Sequence, residues 1–308
     1  MFALTQDKKS NAFRFLKFPS LLYIEPTNDC NLNCRMCPRK ESARKIEYMP
    51  FALFCEIINQ VSHRNPAMLT LHQLGEPLLH PEIIPMIRYA KNKGIRHVRF
   101  ATNATMLKED LSRNLIESGL DSLTISMDSA TAAWYCPEKS KEGFFADLDR
   151  RILEFITLRD RQGFKTPHVY AQIINMADTQ DLITPFVDRW KGIADQVVIK
   201  QPLAWVGKRS ISKEREPAFR FICTHHLYQG VVLSNGDATF CCLYPGSPAD
   251  GEWVLGNAGS ATLEDIFMVD RRKQMIEAQL RGDYSVVPYC KECPDWHDYL
   301  KAQLTHPL

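Results

Sequence analysis

The chain of 308 residues carries 38 Lys and Arg against 36 Asp and Glu, a net charge of +2, with 45% hydrophobic and 24% charged residues. That balance excludes a disordered or collagen-like chain and offers no clustered positive face of the kind a nucleic-acid partner requires. The opening residues, MFALTQDKKSNAFRF, place charges where a signal peptide needs an apolar run. No stretch stays apolar for long enough to span a bilayer, so a cytoplasmic protein without a membrane partner is expected.

In chain order, short β-branched or aromatic runs predict strands over Ser20–Glu25, Met68–Gln73, His97–Thr102, Ser122–Met127, His168–Ile174 and Gln196–Lys200. Between them, helical periodicity covers Pro50–Val61, Pro81–Lys93, Lys108–Ser118, Phe144–Gln162 and Thr179–Lys191. Gly94, Gly119, Gly163 and Gly192 each fall just past a helical stretch, where a left-handed cap residue is wanted. The repeated order implies an α/β fold with a parallel sheet, and six units are fewer than the eight of a closed TIM barrel, so a partial (β/α)6 barrel is expected. After Trp205 the character changes. A basic stretch, Lys208 to Arg220, leads to a hairpin over Val231–Cys241 turning at Asn235-Gly236, and a last helix is predicted near Leu263–Leu280. These features divide the chain into a barrel, residues 1–205, and a small C-terminal extension, residues 206–308.

The ten cysteines are read as metal ligands or reactive thiols, because a reducing cytosol does not maintain a disulfide framework. Cys30, Cys34 and Cys37 form C-x3-C-x2-C in a loop directly after the first strand. Three thiolates can hold three irons of a cubane and leave the fourth open to a chelating ligand, with zinc or unrelated buried thiols as the alternatives. Cys223, Cys241, Cys290 and Cys293 supply four further ligands, for which a zinc ribbon is the alternative. A cluster held by four thiolates cannot bind substrate directly and is suited to passing electrons. Cys55 is expected in the core and Cys136 is incidental. Cys242 adjoins Cys241 in an extended segment where neighbours point to opposite sides, so it either replaces Cys241 as the ligand or presents a thiol to the substrate. Glu138, Lys200, Arg209, His225 and His226 are candidate substrate-facing groups, with solvated charge or core histidine as the other reading of each.

With its triad after the first strand, the chain resembles the radical S-adenosylmethionine (SAM) superfamily. The resemblance implies that Cys30, Cys34 and Cys37 hold a 4Fe-4S cluster whose open iron is chelated by SAM. An electron from that cluster then splits SAM into methionine and a 5'-deoxyadenosyl radical. Met36 stands where the family often has an aromatic residue, and it can still pack beside adenine. Gly75-Glu76-Pro77 resembles the family's glycine-glutamate motif at the SAM amino group. Asn103, after the third strand, and Ser126 with Asp128, after the fourth, sit where the family contacts SAM, including its ribose hydroxyls. The Cys223, Cys241, Cys290 and Cys293 layout resembles a twitch domain, the shortened form of a SPASM domain, which holds one auxiliary 4Fe-4S cluster; the sequence QPLAWVGKR resembles the junction leading into it.

The implied reductant is a flavodoxin or ferredoxin, and the implied reaction falls into three classes. One is oxidation of an alcohol on a small polyol or aminosugar, with the auxiliary cluster accepting the second electron, as in the twitch-domain dehydrogenase of aminocyclitol antibiotic biosynthesis. Another is epimerisation of a sugar or peptide with Cys242 returning hydrogen. The third is a peptide-modifying enzyme, disfavoured because only 29 residues precede Cys30, where such enzymes commonly carry a leader-binding segment. A non-enzymatic iron-sulfur or zinc protein would make the placements of Glu76, Asn103 and Asp128 coincidental.

Overall fold

The computed structural model describes residues 18–34, 36–64, 66–127, 143–203, 205, 222–244, 253–291, 293 and 295. Its six predicted strands are present as β1 (Leu21–Ile24), β2 (Met68–Thr70), β3 (Val98–Thr102), β4 (Ser122–Ser126), β5 (His168–Ile174) and β6 (Gln196–Lys200). The helices between them are α1 (Phe51–Ser62), α2 (Ile83–Asn92), α3 (Glu109–Ile116), α4 (Phe144–Arg161) and α5 (Gln180–Trp190). All six strands pair in parallel and in sequence order, and the sheet stays open. The predicted caps Gly94, Gly119, Gly163 and Gly192 all take positive φ, between 76° and 86°.

Alternation along the strands gives the sheet two chemically different faces. Leu22, Ile24, Leu69, Leu71, Val98, Phe100, Leu123, Ile125 and Val169 point to the helices and form one core with Phe54, Ile57, Met86, Ile87, Leu115, Ile152 and Phe155. The opposite, inner face is polar. The pairing register aligns Tyr23, Thr70, Arg99 and Ser122 in one row, Ala101, Thr124 and Tyr170 in the next, and Ser126 with Gln172 above them.

The C-terminal part continues the same sheet. Here α6 (His225–Tyr228) leads into β7 (Gln229–Val232), which pairs in parallel with β1, and β8 (Asp237–Thr239) and β9 (Gly256–Asn257) follow antiparallel. The hairpin turns at Asn235-Gly236 as expected, with Gly236 at φ +87°. The single helix expected over Leu263–Leu280 is instead two, α7 (Leu263–Phe267) and α8 (Asp270–Leu280), parted by extended backbone at Val269 (φ −60°, ψ 145°). Fully buried Arg272 explains the break: its Nη1 donates to the Phe267 carbonyl at 2.9 Å and its Nη2 to His226 O at 2.9 Å. The side chain thus satisfies a helix-end carbonyl that a continuous helix would have bonded itself. A last short helix, α9, spans Pro288–Lys291. A second core, with Tyr23, Val231, Phe240, Cys241, Cys242 and Trp253, lies where this part meets the inner face at β1.

Candidate active site

The loop after β1 carries Cys30, Cys34, Met36 and Cys37, each half-buried. Cys37 N donates to Cys34 O at 3.0 Å, which curls the triad into one turn. Arg39 holds the loop from inside, its Nη2 donating to Leu32 O at 3.1 Å and to Asn33 Oδ1 at 2.9 Å. Burial pushes the Cys30 thiol up to about 11, opposed by a bond from the Leu32 backbone.

Gly75-Glu76-Pro77 packs directly against this loop. A Cβ on Gly75 would lie 2.0 Å from Thr27 O and 2.8 Å from Asp29 O, so only glycine permits the approach. Glu76 N donates to Asp29 O at 2.7 Å. The Glu76 carboxylate is nearly fully buried and accepts from Leu78 N at 3.0 Å, Thr102 Oγ1 at 2.7 Å and Asn103 N at 2.7 Å. It therefore bolts the β1, β2 and β3 loops together, a positioning role that its spacing alone did not announce. Asn103 continues the link: its Nδ2 donates to Asn31 Oδ1 at 3.0 Å and lies 3.8 Å from Cys30 Sγ. Ser126 stands at the end of β4, where Gln172 Nε2 donates to its hydroxyl at 3.3 Å. Asp128, Cys136, Glu138 and Arg209 lie outside the described residues.

The C-terminal thiols gather around Cys241. Burial raises its pKa well above the ordinary thiol value, and the next contributions come from Cys242, Cys223, Cys290 and Cys293. That crowding brings the four proposed ligands and Cys242 into one neighbourhood from three separated segments. Buried His225 and His226 belong to this second site: His225 Nδ1 is 3.7 Å from Cys242 Sγ, and His226 Nε2 is 3.8 Å from Cys290 Sγ. Among the described residues no three His, Cys, Asp or Glu side chains converge on a point one metal ion would fill. A cubane takes one thiolate per iron, so its ligands stand around a larger object. Cys55, expected in the core, is only half-buried beside Tyr89 and Lys93. Lys200 is exposed at the end of β6.

Two contacts absent from the sequence reading join the sites. Fully buried Glu25, which follows β1, pairs with Arg44, receiving Nη1 at 3.1 Å and Nη2 at 2.5 Å, and Ser234 of the β7–β8 turn donates to it through both N and Oγ at 3.0 Å. Gln73, just past β2, donates its Nε2 to the Cys242 carbonyl and lies 3.5 Å from Tyr244 O. No local pattern could have flagged partners 19, 209 and 169 residues apart. A concavity of about 950 Å³ between α3 and α4 is lined by Leu107, Ser112, Asp149, Arg151 and neighbours and by no cysteine, so it is not this site.

A family profile described as the radical SAM superfamily matches residues 24–169, and one described as an iron-sulfur cluster-binding (SPASM) domain matches residues 223–294. The chain carries a radical SAM domain followed by a SPASM domain. Its cofactors are therefore SAM, a 4Fe-4S cluster and, with the SPASM domain, auxiliary iron-sulfur chemistry. Among curated relatives of this radical SAM chain are the tungsten-containing aldehyde ferredoxin oxidoreductase cofactor-modifying protein of Pyrococcus furiosus and a GTP 3',8-cyclase of Chlorobaculum tepidum. The first is 32% identical over 109 residues, 35% of this chain and 30% of that protein. The second is 29% identical over 149 residues, 48% and 39% respectively. The matched stretches thus span only about a third of those relatives' length. Among solved structures, BtrN in complex with AdoMet and 2-DOIA has TM-score 0.59 at 20% identity, covering 90% of this chain and 93% of that one. Streptococcus suis SuiB bound to precursor peptide SuiA has TM-score 0.64 at 15% identity, covering 84% and 67%. At these identities the likeness is one of fold alone. No helix among the described residues is long and apolar enough to cross a membrane.

Proposed function

We propose that this radical SAM enzyme oxidises an alcohol on a small hydroxylated substrate, a polyol or aminosugar, with residues 206–308 forming an auxiliary-cluster extension. Cys30, Cys34 and Cys37 would hold the SAM-binding cluster, and Cys223, Cys241, Cys290 and Cys293 the auxiliary one. When bound, SAM with the first cluster supplies the hydrogen-abstracting radical and the second cluster takes up an electron. The observation that carries the reading is the thiol neighbourhood around Cys241, set against an inner face of hydroxyl and amide groups, Tyr23, Thr70, Thr124, Ser126, Tyr170 and Gln172. Such groups match the alternating donors and acceptors of a polyol. Met36, Gly75, Glu76, Pro77, Asn103, Ser126 and Asp128 are the proposed SAM contacts. With the Glu76 carboxylate already occupied by three donors, Gly75 to Pro77 would act there chiefly through their backbone.

A second reading, epimerisation, is favoured by one observation: Cys242, a fifth thiol beyond the four proposed ligands, is buried with its Sγ 3.7 Å from His225 Nδ1. Its thiol could return hydrogen to a substrate radical. The two readings part on product. Anaerobically reconstituted enzyme, reduced by flavodoxin or ferredoxin and offered polyols and aminosugars in deuterated water, should give a ketone that persists in Cys242→Ala. An epimer carrying solvent deuterium, lost in Cys242→Ala, would replace oxidation with epimerisation.

A further inference from the structure

The inner face holds polar side chains that neither cysteine loop uses. Arg99 sits in the row with Tyr23 and Thr70, its Nε donating to Thr70 Oγ1 at 3.1 Å and its guanidinium bonding the Tyr23 side chain. Among the described residues Arg99 pairs with no carboxylate. Neutral hydroxyls fix an arginine in place without neutralising it, leaving a planar fork suited to a carboxylate or phosphate.

His72 stands one layer higher, edge-on to Tyr23 with ring centroids 5.9 Å apart. Ala101 N donates to His72 Nδ1 at 3.0 Å, which assigns the ring proton to Nε2 and leaves that atom as a donor. Burial, then Arg99 and Lys200, lower its pKa to about 3, so the ring stays neutral and the field at this spot is positive. Half-buried Arg99 faces no counter-charge among the described residues, and an anionic ligand group seated on it would supply one.

We infer that Arg99 and His72 form an anion anchor on the inner face of the barrel, taking a carboxylate or phosphate group of the substrate. The inference rests on the radical SAM reading and narrows its substrate to a sugar or cyclitol acid or phosphate, with a lone ammonium group disfavoured at this spot. The anchor is distinct from the SAM site. Arg99 precedes Asn103 by four residues, which places it about 13 Å down the strand from the edge where SAM contacts are proposed. Tyr23, which touches both Arg99 and His72, also feels Cys242, so a substrate held here would lie under the C-terminal loops.

The test is calorimetric binding to the reconstituted, SAM-loaded enzyme, with glucuronate, glucose 6-phosphate, glucose and glucosamine as probes. At least one anionic probe should bind about tenfold or more tighter than glucose and glucosamine, the worth of a charged hydrogen bond. Arg99→Met should abolish that preference and Arg99→Lys retain part of it, while the SAM dissociation constant stays within about twofold in both, the mark of an anchor separate from SAM. Glucuronate and glucose 6-phosphate between them tell carboxylate from phosphate. The inference is overturned if neither anion binds at millimolar concentration, if glucose or glucosamine binds equally well, or if Arg99→Met keeps the anion preference. Weakened SAM binding with anion binding intact would assign Arg99 to SAM and overturn it too. Because binding needs no turnover, a failure of SAM cleavage would count against the radical reaction alone.

Discussion

Removing the Arg44 guanidinium should damage both halves of the molecule at once. The Glu25 side chain is 0% exposed and that of Arg44 only 6%. In Arg44→Met, Oε2 keeps the two Ser234 bonds at 3.0 Å, but Oε1 is left with Leu74 N at 3.5 Å, so a buried carboxylate loses the counter-charge it has among the described residues. Breaking a buried pair from one side costs about 3–5 kcal/mol, and the Ser234 bonds offset part, so about 3 kcal/mol is expected. Adding Glu25→Gln should recover about half, because the amide still accepts from Ser234 and carries no charge. Urea unfolding of the reconstituted enzyme, followed by cluster absorbance and tryptophan fluorescence, supplies the double-mutant cycle. Hydrogen exchange should rise together around residues 42–49 and at Ser234. A loss below about 1 kcal/mol in Arg44→Met, or a double variant no better than the single, would refute the electrostatic tie.

Gly75→Ala forces the β2 loop away from Thr27 and Asp29, because the 2.0 Å contact is with backbone and cannot rotate aside. The chain should fold while SAM cleavage to 5'-deoxyadenosine falls about a hundredfold or more, and cleavage within tenfold of wild type would contradict the tight approach. Arg39→Met releases Leu32 O and Asn33 Oδ1 and should speed iron loss to a chelator about tenfold, measured by absorbance. His72, folded pKa about 3 against an ordinary 6.5, stays neutral while the unfolded ring gains a proton, so its stabilisation is present above pH 6.5 and drains as pH falls below it. Between pH 7.5 and 5.5 the wild type should therefore lose about 1 kcal/mol more stability than His72→Gln, and parallel losses would contradict this protonation state.

What was legible in the chain was what is encoded locally. The six strands and the glycine caps followed from alternation and from glycines placed just past helical runs, and the cysteine triad stood out by spacing. Asn103 and Glu76 were found by position, but not the bonds that join them to Asn31, Asp29 and Thr102, because those depend on how three loops meet. The break at Val269 was hidden because no glycine or proline marks it between Leu263 and Leu280, and the cause, Arg272 reaching Phe267 and His226, is tertiary. The parallel pairing of β7 with β1 was equally out of reach, since it joins strands some 200 residues apart and no short-range signal selects an edge strand's partner. Arg99 and His72 went unnoticed for a related reason: a charged residue in a strand reads as solvent-facing until the inner face of an open barrel is known.

The most direct test of the central claim is iron and acid-labile sulfide content, measured with SAM cleavage, on anaerobically reconstituted wild type and on the triple variant Cys30→Ala, Cys34→Ala, Cys37→Ala. The account predicts about eight irons per wild-type chain, about four in the variant, and no 5'-deoxyadenosine from the variant. Cleavage of SAM at the wild-type rate without those three thiols would contradict it.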